Sequence, residues 1–159
     1  MKRFEVVFFR HGIADASTPD RDRALTEEGV RKTWASAEGL KKMGVAFDRI
    51  LTSPWTRAVQ TATILSEVLA MAAPEVLPEL AGDHTAQELL VALRSHQGKN
   101  LILVGHQPLL GEAVAELLGS DGRCEVDLRK SGACSIEIDG FPSKKPAVLN
   151  WLATAKLLR

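Results

Sequence analysis

The stretch Phe4-Glu5-Val6-Val7-Phe8-Phe9 restricts the fold more than any other part of the chain. Aromatic and β-branched residues fill nearly consecutive positions, so a strand from Lys2 to Phe9 is a buried one. It stops at Arg10-His11-Gly12, a cation, an imidazole and a glycine. Side chains at the end of a central strand sit on a rigid platform. In open α/β sheets the carboxyl end is also where ligands bind. Histidine is a nucleophile when one ring nitrogen is unprotonated, and an adjacent arginine lowers its pKa by like-charge repulsion. The planar fork of Arg10 suits a phosphate, and Gly12 allows close approach of the backbone to an anion. Alone, the tripeptide also fits a surface Arg-His pair at a strand end. Its meaning depends on matching residues further along.

Beyond Gly12 the polar segment Ile13 to Leu25 is a loop that forms a candidate wall for the site. Thr26 is placed to cap a helix whose Val30, Trp34, Ala37, Leu40 and Met43 fall at helical spacing, with Gly44 as its stop. Phe47 to Thr52 reads as a second strand. Ser53-Pro54 reads as a helix start, a capping hydroxyl followed by proline, with Ala58, Ala62, Leu65 and Leu69 on the buried side. Arg57 then lies near the helix amino end, the wrong end of the dipole for a cation. That placement makes sense if Arg57 and the free amides share one anion.

Val76-Leu77 is a short strand, and Thr85-Ala86-Gln87-Glu88 is a capping box opening a further helix that Gly98 closes. Leu101 to Val104 is a fully apolar strand ending in Gly105-His106, and Pro108 starts a helix that stops at Gly119. Ser120 to Lys130 reads as a loop. Ala133 to Asp139 and Ala147 to Leu152 are two last strands, antiparallel neighbours. This order predicts a three-layer α/β/α sandwich with a mixed, mostly parallel central sheet.

The chain of 159 residues is expected to form one domain. Its 20 basic and 20 acidic residues balance, so no general attraction to nucleic acid or to an anionic membrane is expected and any anion site is local. No apolar run reaches the ~18 residues of a membrane span. The amino end lacks a signal-peptide pattern, and Cys124 and Cys134 form no metal or redox motif. A cytoplasmic protein with reduced thiols is expected. No metal-binding or Walker-type motif is present, so no cofactor is expected. His84 and His96 are read as exposed or supporting residues.

Three predicted strand ends therefore carry Arg10-His11-Gly12, Arg57 by way of Ser53-Pro54, and Gly105-His106. Two arginines and two histidines on one sheet edge form a constellation able to bind and transfer a phosphoryl group. Such transfer needs positioning and charge neutralisation, which the arginines and a protonated second histidine supply without a metal.

Phe9-Arg10-His11-Gly12, Leu51-Thr52-Ser53-Pro54-Trp55-Thr56-Arg57-Ala58-Val59-Gln60-Thr61-Ala62, Leu77-Pro78-Glu79-Leu80 and Val104-Gly105-His106-Gln107-Pro108 resemble, in order, the signature stretches of the histidine phosphatase superfamily. Arg23-Ala24-Leu25-Thr26 resembles a further one. Length and the Leu-Pro-Glu-Leu stretch are most similar to the SixA-type phosphohistidine phosphatases. The resemblance implies a phosphoglycerate mutase-like fold. It implies His11 as the nucleophile that becomes phosphohistidine, and Arg10 and Arg57 as ligands of the phosphoryl oxygens. His106 would stabilise the transferring group, Glu79 would match the general acid of larger members, and Arg23 would assist substrate binding. Asp83 is an alternative acid.

Larger members carry a helical insertion over the site, between the glutamate and the second histidine. Here 26 residues separate Glu79 from His106, enough for one capped helix and a turn. An open site without a lid is expected, suited to hydrolysis and to a phosphohistidine on a partner protein. A small phosphorylated metabolite is the rival substrate, favoured if the Ile13–Leu25 loop supplies specific polar contacts. A phosphate- or phosphoprotein-binding module without catalysis is the reading from another class.

Overall fold

The computed structural model describes residues 2–159. The elements run β1 (Phe4–Arg10), α1 (Glu27–Lys42), β2 (Arg49–Thr52), α2 (Thr56–Val68), β3 (Glu75–Val76), α3 (Ala86–Ala92), β4 (Leu101–Gly105), α4 (Leu109–Leu117), β5 (Ala133–Ile138), β6 (Val148–Ala153) and α5 (Ala155–Leu158). Single 3-10 turns span Asp20–Asp22, Pro78–Leu80 and Leu93–His96. The strands form one sheet in the order β3-β2-β4-β1-β5-β6. β1, β2, β3 and β4 are mutually parallel, and β5 and β6 extend the sheet antiparallel from β1. This is the expected mixed, mostly parallel sheet, with helices on both faces.

The pleat of β1 explains why both parities of its central residues, Val6 to Phe9, are apolar. Phe4, Val6 and Phe8 pack with Leu89, Leu93, Leu110 and Val114, in the layer of α3 and α4. Val7 and Phe9 point the other way, to Leu40, Ala58, Ala62, Leu65 and Leu158. From Val6 to Phe9 successive side chains enter opposite cores, so neither parity can be polar there, whereas Glu5 near the strand's start is half-buried and accepts from Ser135 Oγ.

Several local expectations need correction. The buried side of α1 is Thr33, Ser36, Ala37 and Leu40, whereas Val30, Trp34 and Met43 are each at least 40% exposed. Polar groups face inward there because the segment before β5 satisfies them: Thr33 Oγ1 bonds Ser131 Oγ at 2.8 Å, and Ser36 Oγ donates to the Ser131 carbonyl at 2.8 Å. Helix α2 begins at Thr56, and Ser53 does not cap it. Thr85 does cap α3 through the Glu88 amide, but the Glu88 carboxylate pairs with His84 Nδ1 instead of closing a capping box. The short helix α5 was not expected. Its carboxyl end lies so close to α1 that a Cβ on Gly39 would collide with the Leu158 carbonyl.

Candidate active site

Strand register assembles the site. Arg10 stands opposite Gly105 in the β1–β4 pair, and the amide of His11 donates to the Gly105 carbonyl at 3.0 Å. The residues that follow, His11 and His106, consequently emerge side by side, with ring centroids 5.0 Å apart. On the other side Thr52 pairs with Val104, and the Ser53 amide donates to the Val104 carbonyl at 2.9 Å. That brings Ser53 beside His106. Arg57 is the second residue of α2, and only 5% of it is exposed. Arg10, His11, Arg23, Arg57 and His106 line one polar pocket of about 270 Å³.

His11 is held in one tautomer. Its Nδ1 lies 2.7 Å from the Gly12 carbonyl, an obligate acceptor, so Nδ1 carries the proton. The guanidinium Nε–H of Arg57 donates to Nε2 at 3.2 Å, which requires a lone pair there. Burial above all, helped by the charges of Arg57, Arg10 and Lys130, pulls the His11 pKa down to about 4 against the favourable bond to Gly12. At neutral pH the ring is the free base, with Nε2 as its nucleophilic atom.

His106 differs from expectation. Burial, then the neighbouring His11, Arg57 and Arg10, pull its pKa down to about 3, so it is neutral at pH 7. The expected protonated imidazole is corrected to a neutral one, because four basic groups crowd a desolvated site. Ser53 Oγ accepts from the Trp55 amide at 3.2 Å and lies 2.8 Å from His106 Nε2. The hydroxyl keeps a proton and a second lone pair for Nε2, so this contact serves either neutral tautomer of His106. The Nδ1 of His106 is buried without a protein partner. Trp55 packs against this pair of bases and cations, its ring centroid 4.6 Å from that of His106 and 5.0 Å from the Arg57 guanidinium carbon.

Other expected residues fall as follows. Arg10 turns its Nη1 to the Leu128 carbonyl at 2.9 Å, so the Ser120–Lys130 loop braces it. Gly12 is buried, and a Cβ there would meet Thr33 Oγ1 at 2.5 Å; the need for glycine is in packing against α1. Glu79 lies on the Pro78–Leu80 turn beside a separate depression with His84, Gln87 and Glu88, and is not among the residues lining the pocket. Asp83 pairs with Arg21 at 3.0 Å on the surface. His96 is 3.4 Å from Arg49, away from the pocket.

Sequence reasoning missed Asp20, Trp55 and Lys130, all in the pocket wall. Asp20 lies three residues before Arg23, the one local hint that the two act together. Lys130 gave no signal. Its loop is drawn in by Ser131, whose amide donates to the carbonyls of Arg10 and His11 at 3.2 Å.

Residues 6–85 match the model of the histidine phosphatase superfamily, branch 1. The chain is 37% identical to the phosphohistidine phosphatase SixA of Escherichia coli over 119 residues, which cover 71% of this chain and 73% of that protein. The chain belongs to the histidine phosphatase superfamily. As a member of that superfamily related to the SixA enzymes, it is a phosphatase. An uncharacterized protein of Picosynechococcus sp. is 40% identical over 135 residues, covering 80% of this chain and 81% of that one. The solved structure of the protein histidine phosphatase SixA complexed with tungstate superposes with a TM-score of 0.88 at 28% identity, over 98% of this chain and 100% of that chain. The fold is therefore the superfamily's, here with α3 and one 3-10 turn as the helical structure between the Pro78–Leu80 turn and β4.

Proposed function

We propose that the chain hydrolyses phosphohistidine on a partner protein, by way of a phosphohistidine formed on its own His11 and without a metal ion. The observation that carries this reading is the unprotonated Nε2 of His11, its tautomer fixed by Gly12, in a pocket walled by Arg10, Arg23, Arg57 and Lys130. Nε2 attacks phosphorus in line; the Nε2–P bond forms as the P–N bond of the substrate breaks, and the departing imidazole takes its proton from solvent. Water then attacks phosphorus, the Nε2–P bond breaks, and inorganic phosphate leaves. The arginines neutralise charge on the equatorial oxygens of a loose transition state. The arriving dianion favours protonation of His106, whose ring then adds positive charge beside the transferring group.

The short connection from Glu79 to His106 leaves little chain to cover the pocket, which suits a phosphohistidine presented on a protein surface. A departing imidazole needs less acid help than an alkoxide, so the absence of Glu79 from the pocket wall fits a phosphoramidate substrate. Unpaired Cys124 and Cys134 are compatible with a reducing, cytoplasmic setting. The reading that the substrate is a small phosphorylated metabolite draws on one observation, the entry of Arg23 and Asp20 from the Ile13–Leu25 loop into the pocket.

EDTA-treated protein offered a histidine-phosphorylated carrier protein and an aryl phosphate decides the matter. Much faster release from the carrier supports the proposal, together with acid-labile phosphate trapped on the native chain and absent from His11→Ala. Preference for the aryl ester favours a metabolite, and recovery of activity only with added metal removes the metal-free mechanism.

A further inference from the structure

Asp20 stands against the charge logic of the pocket. Every other ionisable group there is basic, yet this aspartate, on the 3-10 turn Asp20–Asp22, holds two of the cations. Its Oδ1 lies 3.2 Å from Arg57 Nη2 and 3.3 Å from Arg23 Nη1. Its backbone carbonyl accepts from Arg57 Nη1 at 2.5 Å. One carboxylate oxygen thus sits between two guanidinium groups as a phosphoryl oxygen would, and the turn uses both terminal nitrogens of Arg57.

We propose that Asp20 is an internal competitor for the phosphate site, an affinity-determining residue that weakens the binding of free phosphate and must be displaced by substrate. This inference rests on the assignment of the pocket as the phosphoryl site. Arg57 is buried, whereas the Asp20 side chain is 59% exposed, so the aspartate can swing into solvent and the arginine cannot. The Ile13–Leu25 segment supports such movement. Residues 15–20 are all exposed, and the segment closes on itself through an isolated bridge between Ala14 and Leu25. Arg23 would stay near the site when Asp20 leaves, because its Nε donates to the Asp15 carbonyl at 2.8 Å.

Apparent affinity falls by the fraction of molecules in which the competitor is released. Inorganic phosphate has only the pocket contacts with which to displace Asp20. A phosphoryl group presented on a protein gains further contacts around the rim, so the same cost weighs less on it. Asp20 therefore favours release of the product and disfavours small phosphorylated compounds, which extends the partner-protein reading above to a specific residue.

The test is the binding of inorganic phosphate to the native protein, Asp20→Asn and Asp20→Ala, by calorimetry and by competitive inhibition of aryl phosphate hydrolysis. Two ion pairs at an exposed carboxylate imply that both variants bind phosphate about tenfold more tightly, with a parallel fall in KM for the aryl ester. Unchanged or weaker phosphate binding in the two folded variants overturns the proposal and makes Asp20 a residue that merely positions Arg57. Circular dichroism and thermal denaturation show whether each variant is folded, and Asp20→Asn keeps the side-chain volume should Asp20→Ala not be. Failure of the native protein to bind phosphate competitively overturns the site assignment itself, and this inference with it.

Discussion

The Nε–H of Arg57 points at Nε2 of His11 across 3.2 Å, so the cation reads the lone pair of the base it stands beside. Arg57 also spans, through its two terminal nitrogens, to the Asp20 turn. In the proposed mechanism one guanidinium thereby orients the nucleophile and presents donors for phosphoryl oxygens. A lysine has its three donors on one nitrogen and cannot present the broad planar fork that reaches His11 and the Asp20 turn together. Arg57→Lys should lower kcat/KM by about 10²–10³, the loss typical of one preorganised electrostatic contact. Steady-state kinetics on a phosphoramidate check this, and a loss below tenfold would show that Arg10 and Arg23 suffice.

The protonation state of His11 can be observed directly. Nitrogen NMR of the imidazoles at pH 6 should show a neutral His11 ring with its proton on Nδ1, as its pKa is lowered to about 4 by burial and neighbouring cations. A charged ring at that pH would contradict the mechanism.

The same shift has a consequence for stability. Unfolded histidine takes up a proton near pH 6.5, whereas folded His11 and His106 resist until about 4 and about 3. Below pH 6.5 the unfolded chain therefore binds more protons, and stability falls as pH falls. Their combined contribution is complete above about pH 6.5 and declines through the window from there to about 4, and for His106 to about 3. Melting temperatures measured from pH 7 to 4 should drop less steeply for His11→Gln than for the native chain. Equal slopes would show that other groups govern acid sensitivity.

Ser53 acts on His106 from behind. Removing its hydroxyl deprives Nε2 of its hydrogen-bond partner at 2.8 Å and frees the ring to turn. Ser53→Ala should reduce kcat about five- to tenfold with little change in KM, the worth of about one hydrogen bond expressed in the transition state. A change confined to KM would place Ser53 in binding instead.

Glu79 stands outside the pocket wall, beside a separate depression. Glu79→Gln should therefore leave phosphohistidine hydrolysis unchanged, since a departing imidazole needs little acid help. A loss confined to an alkyl phosphate would show that the glutamate reaches the leaving group of a bound ester, and an equal loss on both substrates would mean that it acts on the phosphoryl group or on the fold.

Much of this protein is legible along the chain because the information is local. The apolar run Val6 to Phe9 in β1 requires cover on both faces, and the doubly buried sheet follows from it. Arg10, His11 and His106 stand at ends of strands that announce themselves by composition. In a parallel sheet those ends share one edge, so their meeting was readable. Arg57 was readable from its position against the helix dipole.

Contacts that depend on where distant segments come to rest were not legible. Ser53 looks like a helix cap, and only the β2–β4 register places its hydroxyl on His106. Thr33 and Ser36 look like the exposed side of α1 until Ser131, nearly 100 residues later, supplies their partners. The charge state of His106 follows from desolvation by the packed site, a collective property that no residue pattern encodes. Asp20 carries no periodicity and no cap, and its grip on Arg57 exists because the loop folds back over α2. Apart from α5, strand and helix identity thus came from the sequence alone, whereas proton positions and the pairing of charges were decided by tertiary structure, since both depend on burial and on distances between segments far apart in the chain.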